Sequence, residues 1–241
     1  MMRLDKFLVM MELGSRNQVK DLIKKGFISV NGSPCKASDQ KIDEVADTVE
    51  YQGRRLLYQP FQYYILNKPQ GVVTATRDNL DRTVMDLLDE SVRKKDLFPV
   101  GRLDKDTEGL LFLTNDGELA HMLLSPKRHV DKTYLVHLAK EIDDVALERL
   151  ENGVDIGEDK PTLPAKAVKI SEACIHLTIH EGKFHQVKRM LKAVDNEVIS
   201  LKRLTFGSLK LEDALKPGEY RVLSEAEVTN LRKDCGLQPK K

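Results

Sequence analysis

The segment 101–117, GRLDKDTEGLLFLTNDG, constrains the fold more than any other part of this chain. It places an acid-rich, glycine-bounded turn between two short apolar runs, residues 97–100 and 110–113. Short apolar runs that end at turn residues are typical of buried strands. We therefore expect Asp104 at a strand end with backbone glycines nearby, a position that often presents a catalytic carboxylate. Loop aspartates more often cap turns, so this acid alone does not decide a function.

Length and composition favour a soluble protein of one or two domains. The chain has 241 residues, of which 41% are hydrophobic and 32% charged, as in globular proteins with heavily charged surfaces. It has neither an apolar run of membrane-spanning length nor a signal-peptide core, so we expect a cytoplasmic protein without membrane contact. Its cysteines, Cys35, Cys174 and Cys235, are far apart and predict neither a disulfide framework nor a zinc site.

Basic residues concentrate in two parts of the sequence, although the formal net charge is only +1. Residues 1–41 contain eight Lys and Arg against four Asp and Glu, and residues 183–210 contain seven against two. Local excesses of positive charge are typical of surfaces that bind polyanions. The sequence therefore predicts two separate anion-binding surfaces.

The first 58 residues have the pattern of a small module of two helices and a hairpin. The signals, in chain order, are an apolar helical period at 4–11, a capping box of Ser15 and Gln18, a second period at 19–23, a hairpin turn at Asn31-Gly32 and a returning strand at 49–51. Residues 52–62 lack a sustained apolar pattern and predict a linker. We therefore expect two domains, 1–58 and 59–241.

The second predicted helix carries Arg16, Lys20 and Lys24 at i, i+4 and i+8, which aligns three cations opposite its apolar stripe. This α2 row could contact RNA phosphates or could be only a solvated face, and the spacing leaves both open. The motifs RLDKF at 3–7, GSR at 14–16 and the hairpin at 26–32 together resemble the S4 RNA-binding domain. The resemblance implies RNA contacts from the α2 row and from Arg3 and Lys6.

Strand-like and helix-like patterns follow one another irregularly beyond residue 62. Strands are predicted at 63–67, 72–74, 110–113, 134–138, 165–170 and 175–179, and helices at 84–88, 118–124, 145–150, 185–194 and 225–231. This order favours an α+β fold over a doubly wound sheet. The glycines form neither a phosphate loop nor a dinucleotide fingerprint, and zinc-helix and serine-hydrolase motifs are missing from the sequence.

Two strings carry a second resemblance. Residues 101–117 match, nearly residue for residue, the signature of the RsuA-type pseudouridine synthases, whose catalytic aspartate falls on Asp104. Residues 181–190, EGKFHQVKRM, resemble another motif of that family, in which the basic residue matching Lys188 pairs with the aspartate. From the helical pattern alone, Lys188 and Arg189 could equally lie on a solvated face. With the resemblance, we expect Arg189 to contact RNA.

Further positions follow the same family. Tyr134, in a strand where tyrosines are usually core residues, matches the active-site tyrosine that contacts the base. Arg102 matches the arginine that fills the gap left by a flipped nucleotide. Residues 68–71, KPQG, match a turn with a structural role, and either Leu201 or Leu204 would lie behind the uracil.

The resemblance implies a mixed, mainly antiparallel sheet with a central cleft, and an activity that isomerises a uridine in RNA to pseudouridine. This reaction breaks the N-glycosidic bond and rejoins the base through carbon, so it implies no cofactor and no metal. The likeness is greatest to the enzymes that modify 16S ribosomal RNA, which predicts a monomer acting on that RNA or on a small-subunit assembly intermediate. The alternatives are a 23S or tRNA-directed synthase, or a non-catalytic ribosome-assembly factor, which retention of Asp104, Tyr134 and Lys188 disfavours.

Overall fold

The chain forms two compact units, Met1–Pro60 and Phe61–Lys241. The structure is a computed structural model and describes residues 1–44, 46–58, 60–93 and 96–238. Among these residues, no helix is long and apolar enough to cross a membrane. All three cysteines are free and buried.

The N-terminal unit packs two helices against short strands. Its elements are β1 (Met2–Arg3), α1 (Leu4–Met10), α2 (Arg16–Lys24), β2 (Ile28–Val30), β3 (Ser33–Pro34), β4 (Lys41–Ile42), β5 (Val49–Tyr51) and β6 (Arg54–Arg55). The strands pair in the order β3-β2-β5-β6, with β1 and β4 forming a separate pair. Helix α2 begins at the predicted capping box, in which Ser15 and Gln18 each accept from the other's backbone N–H. The predicted hairpin is also confirmed, because Val30 pairs with Ser33 across Asn31-Gly32.

The predicted linker begins later than the sequence suggested. Strand β6 pairs with β5, and the turn between them uses Gln52 and Gly53, both with positive φ. The start of the predicted linker, 52–55, is therefore a hairpin within the N-terminal unit. Gln59 lies outside the described residues.

The C-terminal unit is built on one mixed sheet. Its strands are β7 (Tyr63–Lys68), β8 (Phe98–Val100), β9 (Glu108–Thr114), β10 (Lys132–Leu138), β11 (Lys166–Ser171), β12 (Cys174–Ile179), β13 (Val198–Phe206), β14 (Leu209–Lys210) and β15 (Tyr220–Val222). The order is β11-β12-β10-β13-β9-β7-β15, with β14 on β13 and β8 on β9. Every described pair is antiparallel except β13 with β9, which confirms the predicted mixed, mainly antiparallel sheet.

Helices cover both faces of this sheet. They are α3 (Glu90–Arg93), α4 (Gly117–Leu124), α5 (Asp144–Asn152), α6 (Gln186–Ala193) and α7 (Glu225–Asp234), with 3₁₀ turns at Val84–Leu87 and Pro126–Arg128. Two predictions were wrong here: 84–88 forms a 3₁₀ turn instead of an α-helix, and 72–74 forms only an isolated bridge from Val73 to Thr83. The sequence patterns also missed the whole length of β13, although its residues followed the family resemblance.

The sheet separates two hydrophobic cores, which explains its uninterrupted apolar runs. Along β9, Leu111 and Leu113 pack in one core, and Leu110 and Phe112 pack in the other. Side chains alternate between the faces of a strand, so a strand buried on both faces needs apolar residues at consecutive positions. The first core includes the apolar face of α6, and the second includes those of α4 and α7.

The parallel contact of β9 with β13 creates the geometry of the cleft. Strand β9 pairs with β8 at residues 112–114 but with β13 at residues 108–109. At Gly109, which has φ +105°, an added Cβ would lie 2.7 Å from the backbone nitrogen of Arg203. Only glycine fits both the positive φ and this close approach. The loop from β8 to β9 therefore reaches the sheet where the strand changes partner.

Candidate active site

A cavity of about 910 Å³ opens beside that loop. It is lined by the loop itself, residues 101–105, and by the segment 179–188, which leads from β12 into α6. Lys132 and Tyr134 of β10 and Leu201 and Arg203 of β13 line it from the sheet. The cavity thus gathers side chains from parts of the chain about 100 residues apart.

Asp104 is the carboxylate of the cavity wall with the closest cationic partners. Its Oδ2 lies 3.1 Å from Nζ of Lys188, and its Oδ1 lies 3.5 Å from Nε2 of His185. Asp104 and Lys188 are partly buried, whereas His185 is exposed. The predicted pairing of Asp104 with Lys188 is present in the structure.

Lys188 also holds a second carboxylate, Asp106. Its Nζ donates to both oxygens of Asp106, at 2.6 and 2.9 Å. Partial burial works against the charge of Lys188, but its hydrogen bonds to Asp106 and Asp104 outweigh burial and raise the pKa of Lys188. The hydrogen bond from Lys188 lowers the pKa of Asp106. The site is thus one ammonium shared by two carboxylates.

Helix α6 positions Lys188 through its apolar face. Val187, Met190 and Leu191 are buried in the first core, which turns the intervening Lys188 toward the loop 101–107. His185 precedes the helix in the left-handed conformation, with φ +48°. Gln186 fixes the approach to the helix, because it accepts from the backbone of Lys183 at 3.0 Å and donates to Glu181 at 2.8 Å.

Lys68 holds the other side of the Asp104 loop. Its ammonium is fully buried and donates to the carbonyls of Asp104 at 2.9 Å, Thr107 at 2.8 Å, Pro69 at 3.1 Å and Lys105 at 3.3 Å. Burial lowers the pKa of Lys68 to about 8, against an opposing effect of the nearby carboxylates. The lysine therefore acts as an internal clamp on the loop.

The remaining predicted residues differ in their surroundings. Tyr134 is buried and lines the cavity, as does Leu201, whereas Leu204 is not among the residues that line it. Arg102 lines the cavity with an exposed side chain. Arg189 donates to Glu158 at 2.7 Å and to the carbonyls of Ile156 and Phe184, so its donors are used within the chain.

Comparison with known proteins assigns this architecture. A family model described as RNA pseudouridylate synthase matches residues 62–193, and an S4 domain model matches residues 2–48. The chain is 50% identical to an uncharacterized RNA pseudouridine synthase, YtzG, of Bacillus subtilis, over 94% of this chain and 97% of that protein. It is 43% identical to the ribosomal small subunit pseudouridine synthase A of Vibrio cholerae, over 96% and 100%. A crystal structure of a pseudouridylate synthase superposes with a TM-score of 0.68 at 36% identity, covering 96% of this chain and all of the other.

The chain belongs to the RNA pseudouridine synthase family. The N-terminal unit of this pseudouridine synthase is an S4 domain, and the predicted α+β fold is confirmed.

The S4 domain carries most of the other predicted RNA-binding residues. In the α2 row, Arg16 and Lys24 are exposed and Lys20 is partly buried. Lys6 is also exposed, whereas Arg3 donates to the buried Asp5 through Nε at 3.1 Å and Nη2 at 2.9 Å. The α2 row and Lys6 are therefore available to a ligand.

Sequence reasoning missed several residues that shape the cavity of the synthase. Lys68 was assigned to a turn of structural role, and the bond from Lys188 to Asp106 was not expected. His185 was placed on a helix, although it lies before α6 and faces Asp104. The positive φ of His185 and the burial of Lys68 cannot be inferred from a single sequence, because both depend on tertiary contacts.

Proposed function

We propose that this pseudouridine synthase isomerises a uridine of 16S ribosomal RNA to pseudouridine, with Asp104 as the catalytic carboxylate. The observation that carries the proposal is the 3.1 Å contact between Asp104 and Lys188 at the wall of the cavity. An ammonium at this distance stabilises a negative charge on the carboxylate, and the attraction is stronger in a partly buried site than in water. Asp106 is 69% exposed and does not line the cavity, so we assign it a supporting role.

The reaction needs a carboxylate at the ribose and room for the base to turn. The bond between C1′ and N1 breaks, the uracil rotates, and C5 forms the new bond to C1′. Asp104 would act either by attacking the ribose carbon or by removing a ribose proton, and both routes use an ionised carboxylate at one place. The cavity of about 910 Å³ can accommodate a nucleotide.

Tyr134 and Arg102 complete the proposed site. An enzyme that acts on a stacked base must first extrude it, and a side chain can fill the vacated space. Arg102 is suited to this because it is exposed at the cavity. Tyr134 faces the cavity from the sheet, where its ring can contact the extruded base, with Leu201 beside it.

The preference for 16S RNA is supported by the relatives. The Vibrio cholerae protein is named a ribosomal small subunit enzyme, and this chain aligns with its whole length. The exposed cations of the S4 domain provide a second surface for the ribosomal RNA or for an assembly intermediate. A 23S substrate is the alternative that the assay must separate.

The test is a tritium-release assay with ribosomal RNA labelled at C5 of uridine. We expect the wild-type enzyme to release tritium from 16S RNA and not from 23S RNA. Asp104→Asn keeps the shape of the side chain but removes its charge, so release should stop while RNA affinity stays within a few-fold of wild type. Asp106→Asn is the matched control, since it removes the neighbouring charge, and it should retain turnover. Turnover by Asp104→Asn would rule out the assigned carboxylate, and release from 23S RNA alone would rule out the assigned substrate.

A further inference from the structure

Two buried cations lie on the sheet side of the cavity, next to Tyr134. Lys132 is two residues before Tyr134 on β10 and therefore on the same face, and Arg203 pairs directly with Tyr134 across β13. Lys132 is 9% exposed and Arg203 is 1% exposed. Both residues line the cavity.

Neither cation has an anionic partner in the described part of the chain. Nζ of Lys132 donates to the carbonyl of Val130 at 2.9 Å, and Nε of Arg203 donates to the carbonyl of Leu110 at 2.7 Å. Nη2 of Arg203 is buried without a hydrogen-bond acceptor among those residues. The ring of Phe206 lies 5.5 Å from Nζ of Lys132 and 5.3 Å from Cζ of Arg203, which stabilises both charges without neutralising them.

The nearest acids are occupied elsewhere. Asp131 bonds His180 at 2.7 Å, and Glu181 accepts from Gln186 at 2.8 Å. Burial, together with the positive charge of Arg203, lowers the pKa of Lys132 to about 8. The charges of Asp131 and Glu181 offset only part of this effect, so two adjacent buried cations without an ion-pair partner remain costly. An anion bound between them would remove that cost.

We propose that Lys132 and Arg203 stabilise the uracil anion that forms when the glycosidic bond of the target uridine breaks. This inference rests on the proposed function. When the C1′–N1 bond breaks, its electron pair leaves with N1 and spreads over the ring to O2 and O4. After rotation, C5 bonds to C1′, the proton on C5 is lost, and N1 gains a proton, so product and substrate are isomers. The anion arises on both routes. If Asp104 attacks C1′, the bond between its oxygen and C1′ breaks as C5 attacks, and if Asp104 removes a ribose proton, it returns that proton to the ribose when C5 bonds to C1′.

The position of the two cations favours the base over a backbone phosphate. In an extruded nucleotide the base enters the pocket while the phosphates stay with the strand outside. Arg203 is almost fully buried and adjoins Tyr134, the residue that we assign to the base. Donors that gain an anionic partner only as the bond breaks stabilise the transition state more than the neutral substrate, and this difference accelerates the reaction.

The experiment compares leaving groups. Single-turnover cleavage is measured with the full-length enzyme on two RNAs, one carrying uridine at the target and the other 5-fluorouridine, by digestion to nucleosides and chromatography. Fluorine withdraws electrons and stabilises the departing anion, so the modified substrate depends less on the protein. Lys132→Met should slow uridine cleavage about ten- to hundred-fold, the range for a lost hydrogen bond to a charged group, and should slow 5-fluorouridine cleavage by clearly less. Lys132→Arg should restore most of the rate.

The controls separate this role from a structural one. Lys169→Met removes a lysine of the same sheet that also donates to a backbone carbonyl, at 2.8 Å, but does not line the cavity, and it should leave both rates unchanged. Lys132→Met should melt close to wild type, because removing a buried charge without an ion-pair partner offsets the loss of the hydrogen bond to Val130. Arg203→Lys keeps a positive charge at this position. It should therefore slow uridine cleavage more than 5-fluorouridine cleavage, but by less than Lys132→Met does.

Four outcomes would overturn the proposal. Equal slowing of both substrates by Lys132→Met would indicate a phosphate contact, because both RNAs carry the same phosphates. Unchanged rates would show that the cations play no part in bond cleavage. A melting temperature well below that of wild type would show that Lys132 is needed for the fold. A wild-type enzyme that cleaves neither RNA would refute the proposed function itself, and the inference with it, whereas the first three outcomes leave that function intact.

Discussion

The clamp formed by Lys68 predicts that a residue outside the cavity controls Asp104. The substitution Lys68→Met keeps the volume of the side chain but removes an ammonium that donates to four carbonyls. The two shortest bonds reach Asp104 and Thr107, at 2.9 and 2.8 Å. The carbonyl of Asp104 keeps the backbone N–H of Thr107 as a donor, at 3.1 Å, so losing the ammonium costs about 0.5–1.5 kcal/mol there and about 1–3 kcal/mol at the carbonyl of Thr107. Removing the desolvation cost of the ammonium offsets part of this, which leaves about 2 kcal/mol.

Activity should fall more than stability alone explains. Loss of the clamp frees the loop that carries Asp104, and a misplacement of about 1 Å costs about a hundred-fold in rate. We therefore expect Lys68→Met to lower the free energy of unfolding in urea by about 2 kcal/mol and to lower the single-turnover rate about a hundred-fold at a temperature where it is folded.

Lys105→Met is the matched control for Lys68→Met. Lys105 lies on the same loop but is exposed, and its ammonium pairs with Asp81 at 2.5 Å. An exposed pair contributes at most about 1 kcal/mol. If Lys68→Met is as stable and as active as Lys105→Met, the clamp does not position Asp104 and the reasoning is refuted.

Three further predictions follow from the site and the S4 domain. Lys188→Met should lower single-turnover rates by orders of magnitude while RNA affinity stays within a few-fold, and a loss of affinity alone would mean that Lys188 contacts the RNA backbone. Gly109→Ala should destabilise the enzyme in urea by about 3 kcal/mol, against about 1 kcal/mol for Gly157→Ala, which has a similar positive φ but open space around its Cα. Replacing the α2 row by glutamines should reduce the slope of log K against log salt by about 2–3, and an unchanged slope would show that this face is only solvated.

Local signals in the sequence were sufficient for the elements that they specify. The capping box at Ser15 and the Asn31-Gly32 turn depend on neighbouring residues, so they were predictable and are confirmed. Strand β13 was not predictable from pattern, because Lys202 and Arg203 interrupt its apolar residues. Arg203 is nevertheless buried, and it lines the cavity instead of the outer surface. The prediction of a strand at 72–74 was wrong for the opposite reason: an apolar pattern is present in the sequence, but these residues lie in a loop.

The candidate site was predictable as far as its motifs extend. The resemblance predicted that Asp104 pairs with Lys188, 84 positions later in the sequence, and the structure places the two side chains in contact. The sharing of Lys188 with Asp106, the approach of His185 and the clamp of Lys68 depend on how the loop and α6 meet in three dimensions. The pair of Lys132 and Arg203 depends on strand register, which a single sequence does not specify.

The most direct test of the central claim is site-resolved pseudouridine mapping of total RNA. Three strains are compared: one that contains the protein, one that lacks it, and one in which Asp104→Asn replaces it at equal abundance. We predict that one uridine of 16S ribosomal RNA is pseudouridine in the first strain and unmodified in both others. Identical maps in the first two strains, or modification restored by Asp104→Asn, would contradict the account.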